Sequence, residues 1–127
     1  MLGITALHHV AVCVTDLERA KQFYGGVLGL REIARPRLGV DGTWYGLENG
    51  QLHLIVHPPT RTLRGTTAID AADGHLALRV GDYEQAVAHL GAHGVPLLER
   101  PQNATAWKQV YFTDPDGNVI ELNAERG

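Results

Sequence analysis

The sequence predicts an α+β fold built of two βαβββ modules, and three observations carry that reading. The chain repeats itself at an offset of 66 residues: His9 meets His75, Val12 meets Leu78, Val14 meets Val80, Asp16 meets Asp82 and Ala20 meets Ala86. Each half passes from a period of two to a period of 3.6 and back to two, the order of a strand, a helix and further strands. Glycine is 15 of 127 residues, against about 7% in an average protein, so tight turns between short strands are favoured over a helical bundle.

The elements follow in order. Residues 7–14 (LHHVAVCV) alternate and form the first strand. A helix over 16–28 places Leu17, Ala20, Tyr24, Val27 and Leu28 on one face, with Thr15 or Asp16 to cap it and Gly29 to end it. Strands near 30–36, 42–48 and 51–57 complete the first module. Residues 57–74 (HPPTRTLRGTTAIDAADG) show no periodicity and read as a connector and candidate flap. The second module repeats the plan: a strand over 74–80, a helix over 82–93 between an Asp82 cap and a Gly94 stop, and strands near 96–100, 106–113 and 118–123. The last strand is entered through the turn Asp114-Pro115-Asp116-Gly117. The expected organisation is one domain over 1–127, with modules at 5–57 and 74–124 and a connector at 58–73.

Composition removes several function classes. Eleven Lys and Arg against 14 Asp and Glu give a net charge of −3 with no basic stretch, so neither nucleic acid nor an anionic membrane is an expected partner. No apolar run approaches the ~20 residues of a membrane span. MLGITALHHV has no signal-peptide pattern. The one cysteine, Cys13, cannot form an internal disulfide, and a cytoplasmic location is expected.

Alternation then sorts side chains by face. With Val10, Val12 and Val14 under the helix, His9, Ala11 and Cys13 point the other way. With Leu52, Leu54 and Val56 in the core, Gln51, His53, Ile55 and His57 lie opposite. The second half places His75, Ala77 and Arg79 from its first strand, and Val119, Glu121 and Asn123 from its last, on the equivalent face. Each half thus offers one polar group from its first strand and one from its last: His9 with His53, 44 residues apart, and His75 with Glu121, 46 apart. Three imidazoles and a carboxylate suit Zn²⁺, Ni²⁺, Co²⁺, Fe²⁺ or Mn²⁺, and burying four such groups without a common partner would be costly. The remaining histidines read as structural or solvated. His8 is out of register with the repeat, and His89 and His93 flank the apolar stripe of the second helix.

LHHVAVCVTDLERAKQFYGGVLGL at 7–30, HLALRV at 75–80 and YFTDPDGNVIEL at 111–122 resemble the vicinal oxygen chelate superfamily, also called the glyoxalase/bleomycin-resistance/dioxygenase family. The resemblance implies paired βαβββ modules whose curved mixed sheets enclose a divalent metal. It implies ligands on the first and last strands of each module, which fall on His9, His53, His75 and Glu121. His53 departs from the Glu or Gln usual in glyoxalase I-like and epimerase-like members, which leaves Glu121 as the candidate base. The implied activity is a glyoxalase I-like lyase or isomerase acting on a small molecule with vicinal oxygens. The alternatives are an Fe(II) extradiol-type dioxygenase and a non-catalytic bleomycin-resistance-like binding protein. Arg79, His57, Gln109, Tyr111, Trp44 and Trp107 are candidate substrate contacts. A homodimer is expected from the resemblance.

Overall fold

The computed structural model of the chain describes residues 2–57 and 64–126. It divides into two compact units, Met1–Leu63 and Arg64–Gly127. The expected connector falls partly on residues 58–63, which lie outside the described residues.

The first unit runs β1 (His9–Val14), α1 (Leu17–Lys21) with a π-helical continuation over Gln22–Val27, β2 (Arg31–Ile33), β3 (Gly42–Leu47) and β4 (Gly50–Val56). The second runs β5 (Leu76–Arg79), α2 (Tyr83–Ala92), β6 (Leu98–Arg100), β7 (Trp107–Thr113) and β8 (Val119–Glu125). Each holds one four-stranded mixed sheet, ordered β1-β4-β3-β2 and β5-β8-β7-β6. The first and last strands of each module are parallel neighbours and the other pairs are antiparallel. The two-module βαβββ fold is therefore present, with the repeat visible in its hydrogen bonds.

The helices begin as their sequences dictate. Asp16 is extended and accepts from the backbone N–H of Arg19 at 3.0 Å; Asp82 does the same for Gln85 at 3.0 Å. Each cap is worth about 1 kcal/mol. The ends differ. Gly94 adopts φ +71 after α2, as its stop signal predicts. The first helix instead widens before Gly29, and Leu28 N–H reaches back five residues to Phe23 at 2.9 Å. Gly25 and Gly26, poor formers of an ordinary helix, lie in that widened turn.

One face of each sheet packs on its helix. Val14, Ala20, Tyr24, Tyr45, Leu52 and Leu54 form the first core, and Leu90, Val110, Phe112, Ile120 and Leu122 the second. The other face of β8 is buried as well, since Val119, Glu121 and Asn123 are all covered. β2 and β6 are shorter than expected: Pro36 stands at the end of the stretch expected for β2 and Pro96 at the start of that expected for β6. Among the described residues no helix is long and apolar enough to cross a membrane.

Candidate metal centre

Register fixes the geometry of both donor pairs. In the first unit Ala11 stands opposite His53, so His9, two residues earlier, reaches His53 on the diagonal. In the second, Ala77 stands opposite Glu121, and His75 reaches Glu121 on the same diagonal. Donors come in pairs: among the described residues no group of three or more His, Cys, Asp or Glu forms a cluster able to hold an ion.

The second pair is arranged as metal ligands are. His75 Nδ1 donates to the backbone carbonyl of Asp73 at 2.8 Å, which assigns the proton and turns Nε2 toward the carboxylate. Nε2 then lies 3.2 Å from Glu121 Oε1. A lone pair facing a carboxylate oxygen at that distance calls for a shared cation, either a proton or a metal. Two donors each about 2.1 Å from one ion stand about 3.0 Å apart at a right angle and about 3.4 Å apart at the tetrahedral angle. The observed spacing falls between those limits, so this pair fits a divalent ion.

Glu121 is 5% exposed. Burial alone pushes its carboxyl up, but hydrogen bonds with Asn123, Tyr111, His75 and Gln109 outweigh burial and bring it below the ordinary glutamate range. Burial and the neighbouring Glu121 hold the Tyr111 hydroxyl above its usual value, so it remains a donor. Its ring also packs edge-on against His75 at 5.3 Å.

A clamp supports the segment before His75. Arg64 Nε donates to Asp73 Oδ2 at 2.6 Å and Nη2 to the carbonyl of Ala68 at 2.8 Å. Nη1 reaches the carbonyl of Gly117, in the turn that launches β8. Gly117 has φ +88, and a Cβ there would strike the backbone of Thr66.

The first pair is arranged differently. His53 is 7% exposed and sandwiched between rings: Trp44 lies 4.2 Å away at 5°, and His9 4.0 Å away at 15°. Its Nε2 is engaged with Gln51 Oε1 at 2.8 Å. Burial first, then His9, His8 and Arg35, lower its pKa, so the ring is neutral at pH 7. That is the ligating form. The geometry does not yet match, because parallel rings cannot both aim in-plane lone pairs at one ion. One ring must turn. His9 is exposed, and its Nδ1 lies 2.8 Å from His8 Nδ1, so Nε2 is the nitrogen left open to a further partner.

Trp44 lines the His53 sandwich, and Gln109 and Tyr111 attend Glu121. Arg79 is 5.7 Å from the Trp107 ring and donates Nε to Asn123 Oδ1 at 2.6 Å. His57 follows β4, and its Nδ1 has no hydrogen-bond partner among the described residues. Sequence reasoning missed Gln51, Asp73, Arg64 and Asn123 as partners of the donors. Only Gln51 and Asn123 carried a signal, each lying two residues from a donor on the same strand.

Comparison with known proteins agrees with the fold. The family description Glyoxalase/Bleomycin resistance protein/Dioxygenase superfamily matches residues 6–122. The chain is 31% identical to Glyoxylase I 4 of Arabidopsis thaliana over 95% of its own length and 71% of that protein. It is 30% identical to the metallothiol transferase FosB of Staphylococcus epidermidis, over 96% of this chain and 83% of the relative. The crystal structure of TnmS3, an antibiotic-binding protein from Streptomyces sp. CB03234, aligns with a TM-score of 0.77 at 29% identity, covering 99% of this chain and all (100%) of that one.

Proposed function

The chain belongs to the Glyoxalase/Bleomycin resistance protein/Dioxygenase superfamily, and on that premise we propose that it is a divalent-metal-dependent, glyoxalase I-like lyase or isomerase. Its substrate is a small molecule with vicinal oxygens, and the reaction moves a proton next to a carbonyl. His9, His75 and Glu121 are the proposed ligands, with His53 as the fourth once its ring leaves Gln51. The two donor pairs would come from one chain or from two chains of a homodimer. The observation that carries the reading is the 3.2 Å approach of His75 Nε2 to Glu121 Oε1, with the other nitrogen of His75 already committed to Asp73. The likeness to a glyoxylase I supports the choice of reaction.

A divalent ion bound there would polarise a carbonyl oxygen and acidify the adjacent C–H. The remaining roles belong to the chain. Glu121 is ionised at neutral pH and is the proposed proton acceptor. A carboxylate held below its ordinary range is a weak base, so it suits only a C–H already acidified. Tyr111 keeps its proton and can return or share one at Glu121. Arg79, Gln109, His57, Trp44 and Trp107 are proposed to wall and orient the substrate.

Loading the protein with single metals and following loss of the C–H signal of small 2-hydroxy and 2-oxo carbonyl compounds in D₂O tests the proposal. Metal-dependent exchange that disappears in Glu121→Gln is expected. Stoichiometric metal without exchange on any such compound contradicts it. The engagement of His53 by Gln51 favours a second reading. It leaves two histidines and one carboxylate, the set used by Fe(II) oxygenases, and oxygen uptake with catechols would support it. The TnmS3 likeness supports a third, a non-catalytic binding protein.

A further inference from the structure

We propose that Asn123, itself held by Arg79, is a positioning residue that ties one oxygen of Glu121 and presents the carboxylate to a divalent ion through the other oxygen alone. The inference rests on the metal-site reading above. Asn123 is 9% exposed and lies two residues beyond Glu121 on β8, so the two side chains share a face. Its Nδ2 donates to Glu121 Oε2 at 2.7 Å, away from water. Glu121 Oε1 is the oxygen that faces His75.

An amide can present either end, and Arg79 decides which. Its Nε donates to Asn123 Oδ1 at 2.6 Å. A guanidinium has no acceptor, so the amide oxygen must face it and the amide nitrogen must face Glu121. Arg79 is in place because it stands directly across the parallel β5–β8 ladder from Asn123. Glu125, 3.4 Å from Nη1, and the Trp107 ring brace it further. Positive charge, amide and carboxylate thus form a line that ends on the proposed ligand. The first unit has no equivalent, since the residue two beyond His53 is Ile55.

Without the amide donor, Oε2 loses the partner that ties it and competes more readily for the ion, and the carboxylate is less restrained against swinging. The test uses the full chain, freed of metal, as wild type, Asn123→Leu, Asn123→Gln and Arg79→Met. Zn²⁺ affinity is read by calorimetry and ligand geometry by the visible absorption of the Co²⁺ form. Asn123→Leu should lose about 10–100-fold in Zn²⁺ affinity, the usual effect of removing a group that orients a ligand, and should shift the Co²⁺ bands. Asn123→Gln, which keeps an amide donor, should recover part of both. Arg79→Met should move both in the same direction by less. A folded Asn123→Leu protein with wild-type affinity and spectrum overturns the proposal. If that variant does not fold, an unchanged Arg79→Met protein overturns it instead. A wild type that binds neither Zn²⁺ nor Co²⁺ is a different failure, that of the metal site itself.

Discussion

The two units share a plan and differ in how they hold their polar groups. Both bring a histidine at or just before the start of the first strand to a residue on the last strand, on the same diagonal relative to the parallel pairing. In the second unit the residue met is Glu121, and opposite polarity gives a bridged pair fixed from both sides by Asp73 and Asn123. In the first it is His53, and two imidazole rings stack instead, with Trp44 on the far side. The backbone sets where two side chains meet. Their chemistry decides whether they face each other edge to edge, as ligands, or face to face, as packing.

The largest expected effect breaks the second pair. Glu121→Ala leaves the donors of Asn123 and Tyr111 without their acceptor, so metal-free stability should fall by about 1–3 kcal/mol in urea titration. Metal binding should be abolished with it. An intact metal content would mean that Glu121 is not a ligand.

The next prediction separates the two histidines of the first pair. His9→Ala should weaken metal binding by about 10–100-fold while hardly changing stability, since the ring is exposed. His53→Ala should do the reverse first, removing a buried ring between two others at a cost of about 1–3 kcal/mol. Its effect on affinity sharpens the comparison. A loss makes the site four-coordinate in protein ligands, and no change makes it a two-histidine, one-carboxylate site.

A third prediction concerns pH. The folded His53 resists protonation relative to the ordinary value of 6.5, whereas the unfolded chain accepts the proton there. Metal-free stability should therefore fall as pH drops below about 6.5, and His53→Asn should flatten that fall relative to wild type. Glu121 adds a separate loss at lower pH. Its lowered carboxyl stabilises the fold above the ordinary glutamate value, and that contribution disappears as pH passes down through the folded one. Equal slopes for wild type and His53→Asn between pH 7 and 5.5 would contradict the assignment. The smallest effect is expected at His89, exposed on α2, and at the exposed His93 that follows it, where alanine should leave metal affinity unchanged and stability within about 0.5 kcal/mol.

How much of this was legible follows from what alternation can encode. Period and repeat located the helix caps, the first and last strands of each module and the faces of His9, His53, His75 and Glu121, because these depend on backbone geometry alone; the parallel pairing of those strands appears only in the structure. They did not reveal that His53 would be stacked and tied to Gln51, since a face does not specify a rotamer. The clamp of Arg64 was invisible because most of its acceptors, on Thr66, Ala68 and Gly117, are backbone carbonyls, which no side chain announces. The π-helical turn was hidden because Gly25 and Gly26 read as the approach to a stop at Gly29.

The central claim is the proposal that His9, His75 and Glu121 ligate a divalent ion. Calorimetric titration of the metal-free chain with Zn²⁺, checked by elemental analysis, tests it most directly. The account predicts one ion per chain, with binding lost on changing His75 to Ala and strongly weakened on changing His9 to Ala. No stoichiometric binding of Zn²⁺, Ni²⁺, Co²⁺, Fe²⁺ or Mn²⁺ would contradict it.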